Sequence, residues 1–294
     1  MRAPLADRLE EVDIAIAGIP YDGALTNRPG ARHGPREVRN QSSLMRAINH
    51  ATRVNPYELC RIADVGDVPF TSVFDIENTH AEITAFLDRI VRAGALPLCC
   101  GGDHSVSLPV LRAVAKTPVA LIHIDAHTDT WDSFQGSKFN HGAPFRRAHE
   151  EGLIDAAKTV QIGIRGAQNV SAGWDYSQAA GMRVMFIEEV KSRGIAAVVE
   201  ETRDIIGDAP VYMTFDIDSI DPAFAPGTGT PEIAGLTTPE AMELIRGLRG
   251  LNYVGADMVE VSPPFDIGGL TALTGATVMY EILCLLAEAR AKAA

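Results

Sequence analysis

Seven short, almost uniformly apolar runs recur along the chain. Because their residues do not alternate between apolar and polar, the runs are typical of strands buried on both faces, as in a parallel sheet. The predicted strands cover residues 12–20, 95–102, 119–127, 159–166, 183–189, 210–218 and 253–261.

Segments with helical periodicity lie between these runs. The predicted helices cover residues 78–94, 108–116, 196–207 and 238–250, and the tail from about 272 to 294. Thr238 is the expected N-cap of the fourth helix, with Pro239 at its first helical position. The alternation predicts an α/β fold with helices on both faces of a parallel sheet. No linker rich in Pro, Gly or Ser divides the chain, so we expect one domain over residues 1–294.

Charge and cysteine content narrow the choice of partners and compartment. The formal net charge of −12 argues against a duplex nucleic-acid partner, which needs a basic face. No run of eighteen uncharged apolar residues is present, so no membrane span is expected, and the N-terminal segment lacks the apolar core of a signal peptide. The four cysteines form no C-x-x-C pair, which favours a reducing, cytoplasmic setting.

Polar residues follow four of the predicted strands at the point where each strand ends. In open α/β sheets, ligands bind beyond the carboxyl ends of the strands, so these residues are the first candidates for a functional site. They are His104 in the stretch GGDHS, the alternating set Asp125, His127 and Asp129, the pair Asp216 and Asp218, and Glu260.

The alternating spacing indicates a metal site. Residues i, i+2 and i+4 of a strand share one side, so Asp125, His127 and Asp129 can converge on one point, and Asp216 and Asp218 can do so from another strand. Clustered carboxylates repel one another unless cations neutralise them, and two divalent ions would do so. The mixture of imidazole and carboxylate suits Mn²⁺, Zn²⁺ or Fe²⁺ better than Mg²⁺ or Ca²⁺.

The neighbouring His123 lies deeper in the apolar run. A hydrogen-bonding role behind the site is the better interpretation of this residue. A single D-x-D at a strand end is weak evidence for a metal, but the three clusters together are difficult to explain structurally.

Taken together, these stretches resemble the ureohydrolase family of arginases, agmatinases and guanidino-acid hydrolases. The resemblance spans nearly the whole chain, and the phrases DPAFAPGTGTPE and HGAPF are similar to the agmatinase branch. It implies a three-layer α/β/α sandwich on a central, mostly parallel sheet. The similar stretches are residues 18–39, 101–105, 125–130, 140–148, 160–166, 214–232 and 255–266.

The resemblance also implies roles for individual residues and two Mn²⁺ ions per chain. His104 and Asp129 would hold one ion, His127 and Asp218 the other, and Asp125 and Asp216 would bridge them. Asp129 would also orient the nucleophile. His141 matches the family's proton-shuttling histidine, and Glu260 the carboxylate that pairs with the guanidinium of the substrate; with Asn140, these two are the expected substrate-binding residues. Relatives form trimers or hexamers, so a homo-oligomer is expected.

The residues suit this chemistry independently of the family. A guanidinium carbon is a poor electrophile, and two metals can activate water to attack it. A planar cation needs a carboxylate that accepts paired N–H bonds, which Glu260 supplies. A titratable histidine is suited to protonate the departing amine, so that urea and an amine leave.

The identity of the guanidino compound depends on weaker signals. Phe139 occupies the position at which arginases carry an Asn that recognises the amino-acid head group, which counts against arginine. Lys138 and the pair Asn27 and Arg28 offer cationic or polar groups that favour a carboxylate tail, as in 4-guanidinobutyrate or 3-guanidinopropionate. Either basic residue can equally be a solvated surface charge, so agmatine remains the alternative substrate.

Three other interpretations stay open at this stage. A dinuclear metallophosphoesterase also carries His and Asp clusters at strand ends, but the chain shows no cationic phosphate-binding cluster. An inactive scaffold would need neither His141 nor Glu260. A deacetylase of similar fold uses one metal, whereas six candidate ligands favour two.

Overall fold

The computed structural model describes residues 3–6, 8–168 and 171–293. Its centre is one eight-stranded sheet with the strand order β2-β1-β3-β8-β7-β4-β5-β6, and every strand pair is parallel. The strands are β1 (Ile14–Gly18), β2 (Ile62–Asp67), β3 (Leu96–Cys100), β4 (Val119–Ile124), β5 (Ile154–Ile164), β6 (Arg183–Phe186), β7 (Pro210–Asp216) and β8 (Asn252–Val259).

All seven predicted strands are present, and the parallel sheet is confirmed. The sequence prediction missed β2, one of the two edge strands. Its apolar run is interrupted by Asp64 and Gly66, and its second half is only partly buried, so it lacks the pattern of a strand covered on both faces.

Ten helices cover the sheet in the described part of the chain. They are α1 (Gly34–Gln41), α2 (Pro56–Leu59), α3 (Ile76–Arg92), α4 (Ser107–Val114), α5 (Pro144–Glu150), α6 (Ala172–Ala179), α7 (Ile187–Arg193), α8 (Ile195–Ile206), α9 (Thr238–Gly247) and α10 (Leu270–Ala293). One apolar core joins a sheet face to α1, α2 and α7–α10, and a second joins the opposite face to α3–α6. The arrangement confirms the predicted three-layer α/β/α sandwich.

Two local predictions were wrong. The N-cap of α9 is Thr237 rather than Thr238; its side chain and that of Glu240 form a reciprocal capping box. The strand predicted over residues 183–189 ends at Phe186, and α7 begins at the next residue. Glu188 and Glu189 lie in the first turn of α7, where acidic residues stabilise a helix.

The last helix is long and apolar enough to cross a membrane by length and composition. In its most apolar window, 83% of the helix is buried inside the fold, which is typical of a core helix. The helix predicted to end at residue 294 includes one position outside the described residues. One domain over residues 1–294 stays a prediction, although all eight strands share one sheet.

Candidate metal centre

The strand order brings together the four predicted strand ends. In the sheet, β3, β8, β7 and β4 lie side by side in that order. In the chain, β5 and β6 separate β3 and β4 from β7 and β8. His104 follows β3, Glu260 follows β8, Asp216 ends β7, and Asp125 follows β4. All four are almost completely buried. The carboxyl edge of the sheet therefore carries the candidate site.

The imidazole of His104 points into a group of three carboxylates. Its Nδ1 atom lies 2.9 Å from Asp129 Oδ2, 3.0 Å from Asp125 Oδ2 and 3.2 Å from Asp216 Oδ2. The same Nδ1 is buried and has no hydrogen-bond partner in the described structure. On the other side of the ring, Nε2 lies 2.8 Å from the Thr214 hydroxyl. If Nε2–H donates to that hydroxyl, the Nδ1 lone pair faces the carboxylates, as a metal ligand requires.

His127 faces a second group of acidic side chains. Its Nδ1 lies 3.1 Å from Asp218 Oδ2 and 3.5 Å from Asp125 Oδ1, while Nε2 lies 3.6 Å from Glu232 Oε1. Asp125 therefore reaches His104 with one oxygen and His127 with the other, which is the placement expected of a bridging ligand.

Asp125 is also supported from behind. His123 Nε2 lies 2.6 Å from Asp125 Oδ2, and Gln161 Nε2 lies 3.0 Å from His123 Nδ1. Because the amide NH₂ can only donate, Nδ1 accepts and Nε2–H donates to Asp125. His123 thus makes hydrogen bonds of the kind predicted for it, although its ring also lies close enough to His104, Asp125 and Asp129 to belong to a group that could hold a metal ion. Phe145 of α5 packs against this ring, with centroids 4.3 Å apart.

The charges in this cluster are unbalanced in a way that calls for cations. Burial and the charges of neighbouring carboxylates raise the pKa of Asp216 well above its ordinary value and also raise the pKa of Asp218. Burial alone would lower the pKa of His104 and His127, but adjacent carboxylates outweigh it and raise both well above the ordinary value. Without cations the cluster must hold protons, whereas imidazole and carboxylate donors in this number fit divalent ions.

Beside the predicted metal ligands, Glu260 and His141 form a second buried unit. His141 Nδ1 lies 2.9 Å from Glu260 Oε1, which also accepts the backbone N–H of His104 over 2.9 Å. Glu260 Oε2 is buried with no hydrogen-bond partner among the described residues. Burial alone would lower the pKa of His141, but the hydrogen bond and charge of Glu260 outweigh it and raise that pKa.

The model of the Arginase family matches residues 12–285. The chain belongs to the arginase family. This match confirms the resemblance that was inferred from the sequence. The matched residues include all eight strands of the sheet and nearly all of the helices around it.

Individual members of the family are close to this chain. Guanidinopropionase of Pseudomonas aeruginosa is 51% identical, covering 100% of this chain and 93% of the relative. The mitochondrial agmatinase of Gallus gallus is 46% identical over 97% of this chain and 84% of its own length. Among solved structures, proclavaminate amidinohydrolase from Streptomyces clavuligerus has a TM-score of 0.94 at 39% identity, covering 98% of this chain and 96% of that one.

A cavity of about 350 Å³ opens onto the predicted metal ligands of this arginase-family chain. Its lining is Thr26, Asn27, Arg28, His127, Asp129, Trp131, His141, Gly142, Ala167, Asp216, Asp218, Thr230, Pro231 and Glu232. Asn140 does not line it: its amide bonds its own loop, through Ser137 O at 3.1 Å and Gly142 N at 3.0 Å. Glu260 is not part of the lining either; it lies behind His141, to which it is hydrogen-bonded. The substrate contacts predicted for Asn140 and Glu260 stay predictions. Lys138 is exposed and also lies outside the lining.

Several residues around the site, apart from His123, escaped the sequence analysis. Gln161, His123, Thr214 and Asp257 are paired in register across β5, β4, β7 and β8, and all four are fully buried. They form a polar row across the sheet beside the predicted metal ligands. The available signal was a single polar residue within each apolar strand. Thr26 and Glu232 carried no local signal, because only tertiary structure brings their loops to the site.

Two glycines make room for the cluster. A Cβ on Gly102 would lie 1.7 Å from the carbonyl oxygen of Tyr21, and a Cβ on Gly166 would lie 2.2 Å from the ring of His127. A side chain at either position would displace backbone or a predicted metal ligand.

Proposed function

We propose that this chain is a ureohydrolase that cleaves a linear guanidino acid, 4-guanidinobutyrate or 3-guanidinopropionate, to urea and an amino acid. The observation that carries the proposal is the buried, unpartnered Oε2 of Glu260 beside His141. A buried carboxylate oxygen without a donor is costly, and a planar guanidinium offers the N–H donors that it lacks.

The proposal includes two Mn²⁺ ions in the metal centre. His104 and Asp129 would hold one, His127 and Asp218 the other, and Asp125 and Asp216 would bridge them. The contacts of Asp125 with both imidazoles support its place, and Asp216 contacts the imidazole of His104. When bound, such a pair of ions supplies a water molecule activated as a nucleophile near neutral pH.

The remaining chemistry belongs to side chains of the chain. Glu260 holds the guanidinium plane, and Asp129 accepts a hydrogen bond from the attacking water and orients it. A C–O bond forms at the guanidinium carbon, and the C–N bond to the chain of the substrate breaks. His141, bonded to Glu260 at 2.9 Å, delivers a proton to the departing nitrogen, which leaves as an amine while urea remains.

The charge at the wall of the cavity favours an acidic tail. Arg28 lines the cavity with its guanidinium carbon 5.2 Å from the ring centre of Phe265, and it forms no ion pair within the described residues. The acidic Glu232 is already engaged, 3.6 Å from His127 Nε2. An unpaired cation attracts a carboxylate and repels the ammonium of agmatine. The 51% identity to guanidinopropionase supports the same choice; agmatine is the alternative substrate.

We also propose that the protein is a cytoplasmic homo-oligomer, a trimer or hexamer, without nucleic-acid or membrane partners. The net charge of −12 supports the exclusion of nucleic acid.

A urea-release assay on Mn²⁺-reconstituted protein tests the proposal. The panel comprises 4-guanidinobutyrate, 3-guanidinopropionate, agmatine, arginine and guanidine, with a phosphodiester as a control for the phosphoesterase alternative. The highest kcat/KM is expected for a guanidino acid. Fastest turnover of agmatine would overturn the substrate assignment. Cleavage of the phosphodiester without urea release, or one metal per chain, would overturn the reaction.

A further inference from the structure

Two groups of Thr26 converge on a single atom of His141. The Thr26 hydroxyl lies 2.7 Å from His141 Nε2, and the backbone N–H of Thr26 donates to the same nitrogen over 3.1 Å. The two residues are 115 positions apart in the chain, and both line the cavity. Nε2 therefore faces Thr26, while Nδ1 faces Glu260 on the other side of the ring.

This geometry determines where the proton of neutral His141 lies. A backbone N–H can only donate, so Nε2 must accept and carries no proton. The single proton of the neutral ring is then on Nδ1, from which it is donated to Glu260 Oε1. The tautomer thus follows from the donor at Thr26 and the acceptor at Glu260, on opposite sides of one ring.

The loop that carries Thr26 is anchored independently of its hydroxyl. The backbone N–H of His141 donates to Ala24 O over 3.0 Å, and the N–H of Ala24 donates to Asp103 Oδ2 over 2.9 Å. Asp103 is completely buried next to His104. Removing the Thr26 hydroxyl should therefore leave the loop and the backbone of His141 in place.

We propose that Thr26 is the positioning residue of His141: its hydroxyl and N–H hold the ring with Nδ1–H on Glu260 and Nε2 on Thr26, at the wall of the cavity that both residues line. This inference rests on the proposed ureohydrolase function. The hydroxyl matters most when His141 carries a second proton on Nε2, because a hydroxyl can turn and accept that proton whereas the backbone N–H cannot. Thr26 thus retains the ring in one orientation through both protonation states of a proton-transfer cycle.

The test compares three variants of the Mn²⁺-loaded protein. Thr26→Val removes the hydroxyl at nearly constant shape, and Thr26→Ser retains it. Thr228→Val is the matched control, because the buried Thr228 hydroxyl has no hydrogen-bond partner among the described residues. We expect Thr26→Val to lower kcat about tenfold with KM nearly unchanged, since one hydrogen bond to a reacting group is lost. Thr26→Ser should recover most of kcat, and metal content should not change.

A double-mutant cycle separates positioning from general damage. In a His141→Asn background, Thr26→Val should have almost no further effect on kcat, because its action passes through the missing ring. An equal loss in both backgrounds, or loss of metal, would overturn the proposal. Absence of urea release from the wild-type protein would instead count against the proposed function.

A second readout does not depend on activity. In Zn²⁺-loaded protein with ¹⁵N-labelled histidine, the His141 signal is identified by its absence from His141→Asn. We expect the Nδ1–H tautomer in the neutral wild-type ring and a mixture of tautomers in Thr26→Val. An Nε2–H tautomer in the wild type would contradict the assignment even if catalysis were never observed.

Discussion

His123 Nε2 donates a hydrogen bond to Asp125 Oδ2 over 2.6 Å. His123, which is not one of the six predicted metal ligands, thereby orients Asp125, whose two oxygens contact the imidazoles of His104 and His127. Hydrogen bonds to metal ligands usually contribute a factor of about 10–100 in metal affinity. We expect His123→Asn to weaken Mn²⁺ binding by about that factor while the fold remains intact.

A titration of activity against Mn²⁺, with metal content measured after dialysis, checks this expectation. His50→Asn serves as the control because His50 is exposed and lines a different cavity. Unchanged affinity in His123→Asn would show that Asp125 needs no support from behind.

Replacement of the bridging candidate should have a larger effect. Asp125→Asn keeps the size of the side chain but removes the charge that lies between His104 and His127. We expect metal and urea-releasing activity to be lost together, as measured by elemental analysis and turnover of the same sample. The exposed Asp208→Asn is the control. A variant that keeps two ions per chain would exclude Asp125 as a bridge.

Glu260 should affect substrate binding rather than metal binding. Glu260→Gln removes the charge that faces the guanidinium but leaves all six predicted metal ligands unchanged. A hydrogen bond to a charged group contributes about 1.5–3 kcal/mol, so we expect KM to rise by about ten- to hundredfold. Steady-state kinetics at saturating Mn²⁺ check this, with the exposed Glu188→Gln as the control. Loss of metal from the variant would place Glu260 in the metal centre instead.

Arg28 should discriminate between acidic and basic tails. Arg28→Met keeps much of the apolar stem and removes an exposed charge at the wall of the cavity. Since an exposed ion pair contributes at most about 1 kcal/mol, kcat/KM for 4-guanidinobutyrate should fall about three- to fivefold, and that for agmatine should hold or rise. Lys138→Met on the neighbouring exposed loop should change neither. Equal losses for both substrates would remove Arg28 from tail recognition.

His80 should make the protein sensitive to acid. Burial, with a contribution from Arg112, lowers the pKa of His80 to about 3, and neither ring nitrogen has a hydrogen-bond partner in the described structure. The pKa of His80 in the unfolded chain is about 6.5. Below that pH, the unfolded chain binds a proton at His80, whereas the folded protein keeps the ring neutral. Stability is therefore lost as pH falls from 6.5 toward 3, by about 2 kcal/mol at pH 5 from this group alone.

Urea denaturation of chelator-treated protein at pH 7.5 and pH 5 measures that loss. His80→Leu should be about as stable as wild type at pH 7.5 and should lose about 2 kcal/mol less at pH 5. The exposed His50→Leu should behave as wild type. The same acid sensitivity in His80→Leu would show that His80 is protonated in the folded protein.

Short-range patterns were sufficient to predict most of the fold and to single out candidate metal ligands. Apolar runs such as that in β4 predicted strands because burial on both faces excludes polar residues. The alternate spacing of Asp125, His127 and Asp129 identified candidate ligands, but the predicted strand geometry was wrong. β4 ends at Ile124, and the three residues lie in the loop after it, where Asp129 faces His104 and His127 faces Asp218. The edge strand β2 was missed since partial burial weakens the same signal.

What the sequence by itself determined, then, was which side chains could bind metal and which segments could form the sheet. The tertiary structure decided which of them meet. The strand order places β8 between β3 and β7, so Glu260 contacts His104 across 156 residues, and a loop before α1 brings Thr26 to His141 across 115. Such contacts depend on how strands pair in three dimensions. Local sequence preferences cannot predict these contacts, because the hydrogen-bond partner of each polar residue lies far away in the chain.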